Sequence, residues 1–180
     1  MGVEMKNRRT SRLAAATVAV SAMLAATLPG ADAAVYVNGS KTNTFDVTLK
    51  IVADCTIAAN PLDFGQSQGV LATAVSINTT LSVTCTNTTL YNVGLNAGTG
   101  TGSTVAARVL SGTGANTGTV AFNLYQTAGA TNWGNTQGTD TLSGTGTGNS
   151  QTLTVYGVVP AQATPQPDTY KSTITATVYF

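Results

Sequence analysis

Between Thr44 and Ile51 apolar and polar residues take strictly alternate places: Phe45, Val47, Leu49 and Ile51 are separated by Asp46, Thr48 and Lys50. At 100° per residue these four side chains would scatter around a helix, whereas on a pleated strand they share one face. The same period of two returns in AVSINTTLSVTC, with Val75, Ile77, Leu81, Val83 and Cys85 in phase, and in LYNVGLN, with Tyr91, Val93 and Leu95. TVAFNLYQ repeats it with Val120, Phe122 and Leu124, and QTLTVYGVV continues the series. The terminal YKSTITATVYF puts Tyr170, Ile174, Ala176, Val178 and Phe180 on one side. No stretch carries an amphipathic helical period of useful length. Short alternating runs at close spacing predict an all-β chain folded as a sandwich or barrel.

Between the runs lie GTGTG (Gly98 to Gly102), SGTGANTG (Ser111 to Gly118) and GTGTGNS (Gly144 to Ser150). They recur without a fixed period, so they read as hairpin loops that exploit positive φ at glycine rather than as structural repeats. PAQATPQP, Pro160 to Pro167, predicts an extended, unpaired connection ahead of the last strand.

The first residues stand apart. Lys6, Arg8, Arg9 and Arg12 form a basic head, Leu13 to Pro29 an alanine-rich apolar run, and Ala31-Asp32-Ala33 a small-x-small cut site. Residues 1–33 therefore read as a cleaved export signal; the run is short for a membrane span and the cut site comes at once. Half of the eight basic residues lie in that head. The chain beyond the cut site carries Lys41, Lys50, Arg108 and Lys171 against Asp46, Asp54, Asp63, Asp140 and Asp168, a net charge near −1. This disfavours nucleic acid and anionic membrane surfaces as partners. Export also places the two cysteines, Cys55 and Cys85, in an oxidising compartment, where a single disulfide is the natural reading. Closing a loop of about thirty residues removes about 3 to 4 kcal/mol of unfolded-chain freedom.

Catalysis leaves no trace in this composition. The chain has no histidine, and its one glutamate, Glu4, falls in the leader. The commonest general acids and bases are missing, the five remaining aspartates are dispersed, and no metal-ligand cluster or phosphate-cradling motif occurs. The expectation is a protein that is not an enzyme and holds neither cofactor nor metal. Trp133, in the polar stretch ATNWGN, is the single tryptophan. It reads as a ring half-buried over the rim of a sandwich, with exposed stacking on a sugar as the other possibility.

TFDVTLKIVADCTI, then LDFG (Leu62 to Gly65), LSVTC, VYGVVP and a closing DTYKSTITATVYF occur in an order that resembles the spore coat protein U domain. That family includes the major subunits of archaic chaperone-usher pili, and the similarity runs from about residue 43 to 180. It implies an incomplete immunoglobulin-like β-sandwich completed by a donor strand from a neighbouring subunit. Taken by its alternation alone, residues 44–52 read as the first strand of a complete sandwich. The resemblance turns them into the donor, with Phe45, Val47, Leu49 and Ile51 as the inserted face. It makes Ile174, Ala176, Val178 and Phe180 the acceptor-groove strand, and divides the exported chain into a donor extension, 34–53, and a pilin domain, 54–180. Burying four such side chains contributes about 6 to 12 kcal/mol. Ordering some eight residues costs about 8 to 16 kcal/mol, so ladder hydrogen bonds decide whether the strand docks.

The implied partners are neighbouring copies of the chain, a periplasmic chaperone and an outer-membrane usher. The implied location is the cell surface, reached through the periplasm, and the implied role is a fibre for adhesion or biofilm. A second expectation, of another class, is a monomeric secreted coat or carbohydrate-binding module.

Overall fold

The computed structural model describes residues 39–66 and 71–180. The export signal expected over 1–33 lies outside them. The chain divides into Met1–Val47 and Thr48–Phe180. In the first unit, residues 39–47 form no regular secondary structure. The second begins with an irregular stretch through Asp54 and then builds strands β1 (Cys55–Ala59), β2 (Val75–Cys85), β3 (Leu90–Leu95), β4 (Arg108–Gly112), β5 (Thr119–Tyr125), β6 (Leu142–Thr145), β7 (Ser150–Val159), β8 (Tyr170–Lys171) and β9 (Ala176–Tyr179). No helix occurs among the described residues.

Two antiparallel sheets result. One orders its strands β1-β2-β7-β5-β4-β8, and the other β6-β3-β9. The longest ladder runs from Val75 opposite Val159 to Thr84 opposite Ser150. Alternation decides the faces: Leu81 and Val83 on β2, Val155 and Val159 on β7, and Val120, Phe122 and Leu124 on β5 are buried. They meet Tyr91, Val93 and Leu95 of the smaller sheet, which makes the fold a sandwich. Ile77, in phase with this set, is instead 40% exposed.

The glycine-rich runs split by role. Gly114 sits at φ 71° in the β4–β5 hairpin, as expected, whereas Gly148, at φ 76°, lies in the β6–β7 connection, which crosses from the small sheet to the large one and is not the hairpin expected. Gly144 lies inside β6 opposite Tyr91, where a Cβ would run into the tyrosine ring.

Alternation over Tyr170–Phe180 predicts one strand, and the structure divides it in two. Tyr170 and Lys171 pair with β4 in the large sheet, whereas Ala176–Tyr179 pair with β3 in the small one. Polar side chains hold the crossing between them. Ser172 Oγ accepts from the backbone N–H of Thr99 (3.1 Å) and Gly100 (3.2 Å), and Asn96 Oδ1 accepts from Thr175 N–H (2.9 Å). A period of two persists through such a switch, so the pattern alone cannot reveal it.

PAQATPQP forms no strand and bends at Ala161 and Pro167, and it is not wholly unpaired. Gln162 N–H donates to Leu71 O (2.9 Å), and its side-chain amide both accepts from Ala121 N–H (2.9 Å) and donates to Ala121 O (3.0 Å). The β5–β7 ladder stops at Asn123 opposite Val158. Pro160 then removes an N–H from the departing chain, and Gln162 supplies the missing donor and acceptor.

Cys55 and Cys85 are bonded, with Cα atoms 4.1 Å apart and a sequence separation of 30. They face each other across the β1–β2 pair and close its end. A Cys55→Ala/Cys85→Ala double variant is expected to lose about 3 to 4 kcal/mol, read as a lowered urea midpoint with a slope no smaller than the parent's, because the unbridged denatured chain exposes more surface. A midpoint equal to that of the parent would refute this account of the bridge.

Candidate functional site

The site originates where β1 ends. β1 pairs with Leu81–Cys85 only, about half the length of β2. One further rung forms, from Asn60 N–H to Thr80 O (3.0 Å), and Pro61 then has no N–H with which to continue. Thr79 Oγ1 caps the break by donating to the carbonyls of Asn60 (3.2 Å) and Pro61 (2.9 Å). Beyond it, Leu62 and Phe64 fold over Gly157, where a Cβ would collide with both. Phe64 meets Phe122 edge to face, ring centroids 6.3 Å apart.

The shortened edge leaves a groove of about 1100 Å³. The large sheet lines it with Val75, Leu81, Leu110, Val120, Phe122, Leu124, Val155 and Val159; the small sheet adds Leu95 and Ala176; connections add Leu62, Phe64, Leu71 and Ile174. β9 ends the small sheet, paired with β3 on one side only, and lies beside β1 without sharing a ladder with it among the described residues. An apolar trough thus reaches the start of β9 at Ala176, and β9 has a sheet partner on one side only; an unpaired edge beside an apolar trough is a template for strand addition.

Of the residues expected as an acceptor strand, Ile174 and Ala176 line the groove and Val178 packs against the core. Phe180 comes just after β9, is 58% exposed and does not line the cavity. The residues expected as a donor face are the most exposed large apolar side chains described: Phe45 85%, Val47 85%, Leu49 86% and Ile51 75%. Leu49 and Ile51, in the same unit as the groove, do not line it.

The rim is organised by polar residues to which the alternation pattern is blind. Leu71 N–H donates to Thr164 Oγ1 (2.7 Å), which fixes the proline-rich connection at the groove wall. The Asp168 carboxylate accepts from Asn116 Nδ2 (2.8 Å), Thr113 N–H (3.0 Å), Thr113 Oγ1 (3.1 Å) and Thr169 N–H (2.7 Å), tying that connection to the β4–β5 loop. These bonds, led by that of Asn116, hold its pKa below the ordinary 3.8.

Behind the groove, Trp133 is wholly buried, which corrects the half-buried rim position expected from its polar surroundings. Its indole N–H donates to Val93 O (2.7 Å) on β3, and its backbone N–H donates to Leu124 O (2.9 Å) on β5. The next residue, Gly134, accepts from Leu95 N–H (2.8 Å). Arg108 is buried completely as well. Its guanidinium donates to the carbonyls of Leu95 (2.8 Å), Trp133 (2.6 Å), Asn96 (2.9 Å) and Val105 (3.2 Å). Burial lowers its pKa to about 10, partly opposed by Asp140, so it is a cation at neutral pH. Arg108 is legible in the sequence only as part of the charge count. The signal that marks it is its phase: it stands opposite Phe122 and two residues before Leu110, on the inward face of β4.

Chemically, the groove is suited to holding apolar side chains and extended backbone. Its titratable wall residues are Asp63, Asp168, Tyr170 and Lys171, all near the mouth-forming connections. No cluster of three metal-ligating side chains occurs among the described residues.

The profile of the Spore Coat Protein U domain family matches residues 41–177. Among solved structures, the chain is similar to one in a crystal structure of a chaperone–tip adhesion subunit pre-assembly complex from archaic chaperone-usher Csu pili of Acinetobacter baumannii. The identity is 21% and the TM-score 0.53, over 72% of this chain and 40% of that one, so this chain spans about two fifths of its neighbour's length. That likeness is one of fold. The comparison with curated proteins yields no match.

Because the folded pKa of Asp168 is depressed, its contribution to stability is complete above 3.8 and is lost as pH falls through the lower folded value. Carboxyl titration by NMR should place its midpoint below 3.8, and Asn116→Ala should raise that midpoint. A midpoint at or above 3.8 in the parent protein would contradict the clip.

Proposed function

This chain belongs to the Spore Coat Protein U domain family, and from that membership and the groove we propose that it is a structural, non-enzymatic subunit of a secreted chaperone-usher fibre that polymerises by donor-strand exchange. The observation that carries the reading is a complementary pair within one chain. An apolar groove lined by Ile174 and Ala176 opens at the start of the edge strand β9, and an alternating apolar segment, Phe45 to Ile51, is exposed. A free apolar ribbon and an unpaired sheet edge are each aggregation hazards, and insertion of one into the other in a neighbouring copy removes both.

In this reading residues 34–53 are the donor extension and 54–180 the acceptor domain. Phe45, Val47, Leu49 and Ile51 enter the groove of the next copy beside Ile174, Ala176 and Val178, with Phe180 at the end of that strand. A periplasmic chaperone covers the groove before assembly, an outer-membrane usher delivers the subunit, and the fibre stands on the cell surface in adhesion or biofilm. The fold shared with a subunit from a chaperone complex supports the chaperone step.

The alternative is a monomeric secreted coat or carbohydrate-binding module, the latter with Trp133 as a stacking platform. With its ring fully buried, that platform is absent.

Leu49→Lys replaces a groove-filling side chain of about 1.5 to 3 kcal/mol with a charge, so donor affinity should fall at least about tenfold. Electron microscopy of the exported variant should show no fibres, while size exclusion shows a folded monomer that still accepts an unmodified peptide of residues 43–52. Abundant ordinary fibres from Leu49→Lys would sink the proposal.

A further inference from the structure

A sandwich with one edge undercovered has a mechanical problem. Its two apolar faces gain by closing on each other, and a closed groove admits no strand. The residues that oppose this closure are identifiable. Leu124 and Leu95 line the groove from opposite sheets. Leu124 O accepts from Trp133 N–H and Leu95 N–H donates to Gly134 O, so two consecutive residues are stitched to the two walls. An isolated bridge between Tyr125 and Asn132 extends the attachment on the large sheet, and the Trp133 indole reaches Val93 on the small one. Arg108, from β4, closes the frame by binding the carbonyls of both Leu95 and Trp133.

We infer that the Arg108–Trp133 frame is a positioning device that fixes the spacing of the two sheets and keeps the groove preformed for an incoming strand. The inference rests on the fibre reading above. The frame touches backbone atoms of the walls, not the groove's interior, so it acts without occupying the space a donor needs. Its hydrogen bonds are directional, whereas the apolar wall contacts are not; they set a distance that hydrophobic attraction alone would shorten. A buried guanidinium suits the task because its planar fork reaches several carbonyls at once; loss of the fork would take that donor from Leu95, Asn96 and Trp133, while Val105 O keeps Asn132 Nδ2. A preformed groove spares the donor the cost of opening it, so the benefit appears in the rate of association.

The test uses the exported full chain carrying Leu49→Lys, which keeps it monomeric, with a labelled peptide of residues 43–52 as probe. If Arg108→Met leaves the open groove about a tenth populated, peptide association should slow about tenfold, with dissociation changed little. Arg108→Lys should recover part of the rate. Val83→Ala, a core truncation away from the groove wall, serves as the control for lost stability. Should Arg108→Met not fold, Trp133→Phe, which removes the indole donor and part of the buried ring but keeps the backbone stitches, carries the same expectation in smaller degree. Unchanged association in the frame variants, or an equal slowing in Val83→Ala, would overturn the frame's role and leave the fibre reading standing. Failure of the parent to bind the peptide at all would overturn the fibre reading instead.

Discussion

The interruption of one hydrogen-bond ladder at Pro61 is the constraint on which the rest of the molecule depends. β2 offers eleven residues to its edge partner, but β1 accompanies only the half nearest the disulfide. With no N–H at Pro61, the chain leaves the sheet after Asn60 and folds back as Leu62 and Phe64 over Gly157. The lower half of β2 thereby loses its neighbour, and the space between β2 and β9 becomes the groove. The disulfide secures the covered end, so the opening is confined to one part of the sandwich.

Such an opening is tolerable only if it neither collapses nor exposes its walls for long. Two polar devices address the first demand. Gln162 replaces a strand rung where Pro160 cannot supply one, and Asp168 gathers backbone and side-chain partners from the β4–β5 loop and its own connection. Trp133 and Arg108 then join the walls across the core. Buried polar groups of this kind are costly unless fully partnered, and the Arg108 fork finds four carbonyls. In the proposed reading the second demand is met from outside the sandwich, by an alternating apolar segment of the kind the chain itself carries at residues 45–51.

Strands with a regular period are legible without any coordinates. Tyr91, Val93 and Leu95, or Val120, Phe122 and Leu124, stand out as single faces, and each is buried as a set. Where legibility fails, the cause is a partner distant in the chain. Trp133 sits in a run of small polar residues that suggests solvent, yet its burial depends on β3 and β5, which flank it from two sheets. Arg108 is countable as a charge, but its inward phase becomes visible only once Phe122 is known to lie opposite. The terminal run reads as one strand because alternation is indifferent to which sheet receives it.

By itself, the order of residues determined the all-β character and the inward face of most strands, because each is written in residue types one or two places apart, and the cysteine pair, because the chain has only two thiols. The ordered motifs also pointed to the family. Tertiary structure alone decided which strands share a sheet, where an edge falls short, how the last run divides and what holds the two walls apart. Those features depend on hydrogen bonds and contacts between residues tens of positions apart, and a period of two looks the same on either sheet.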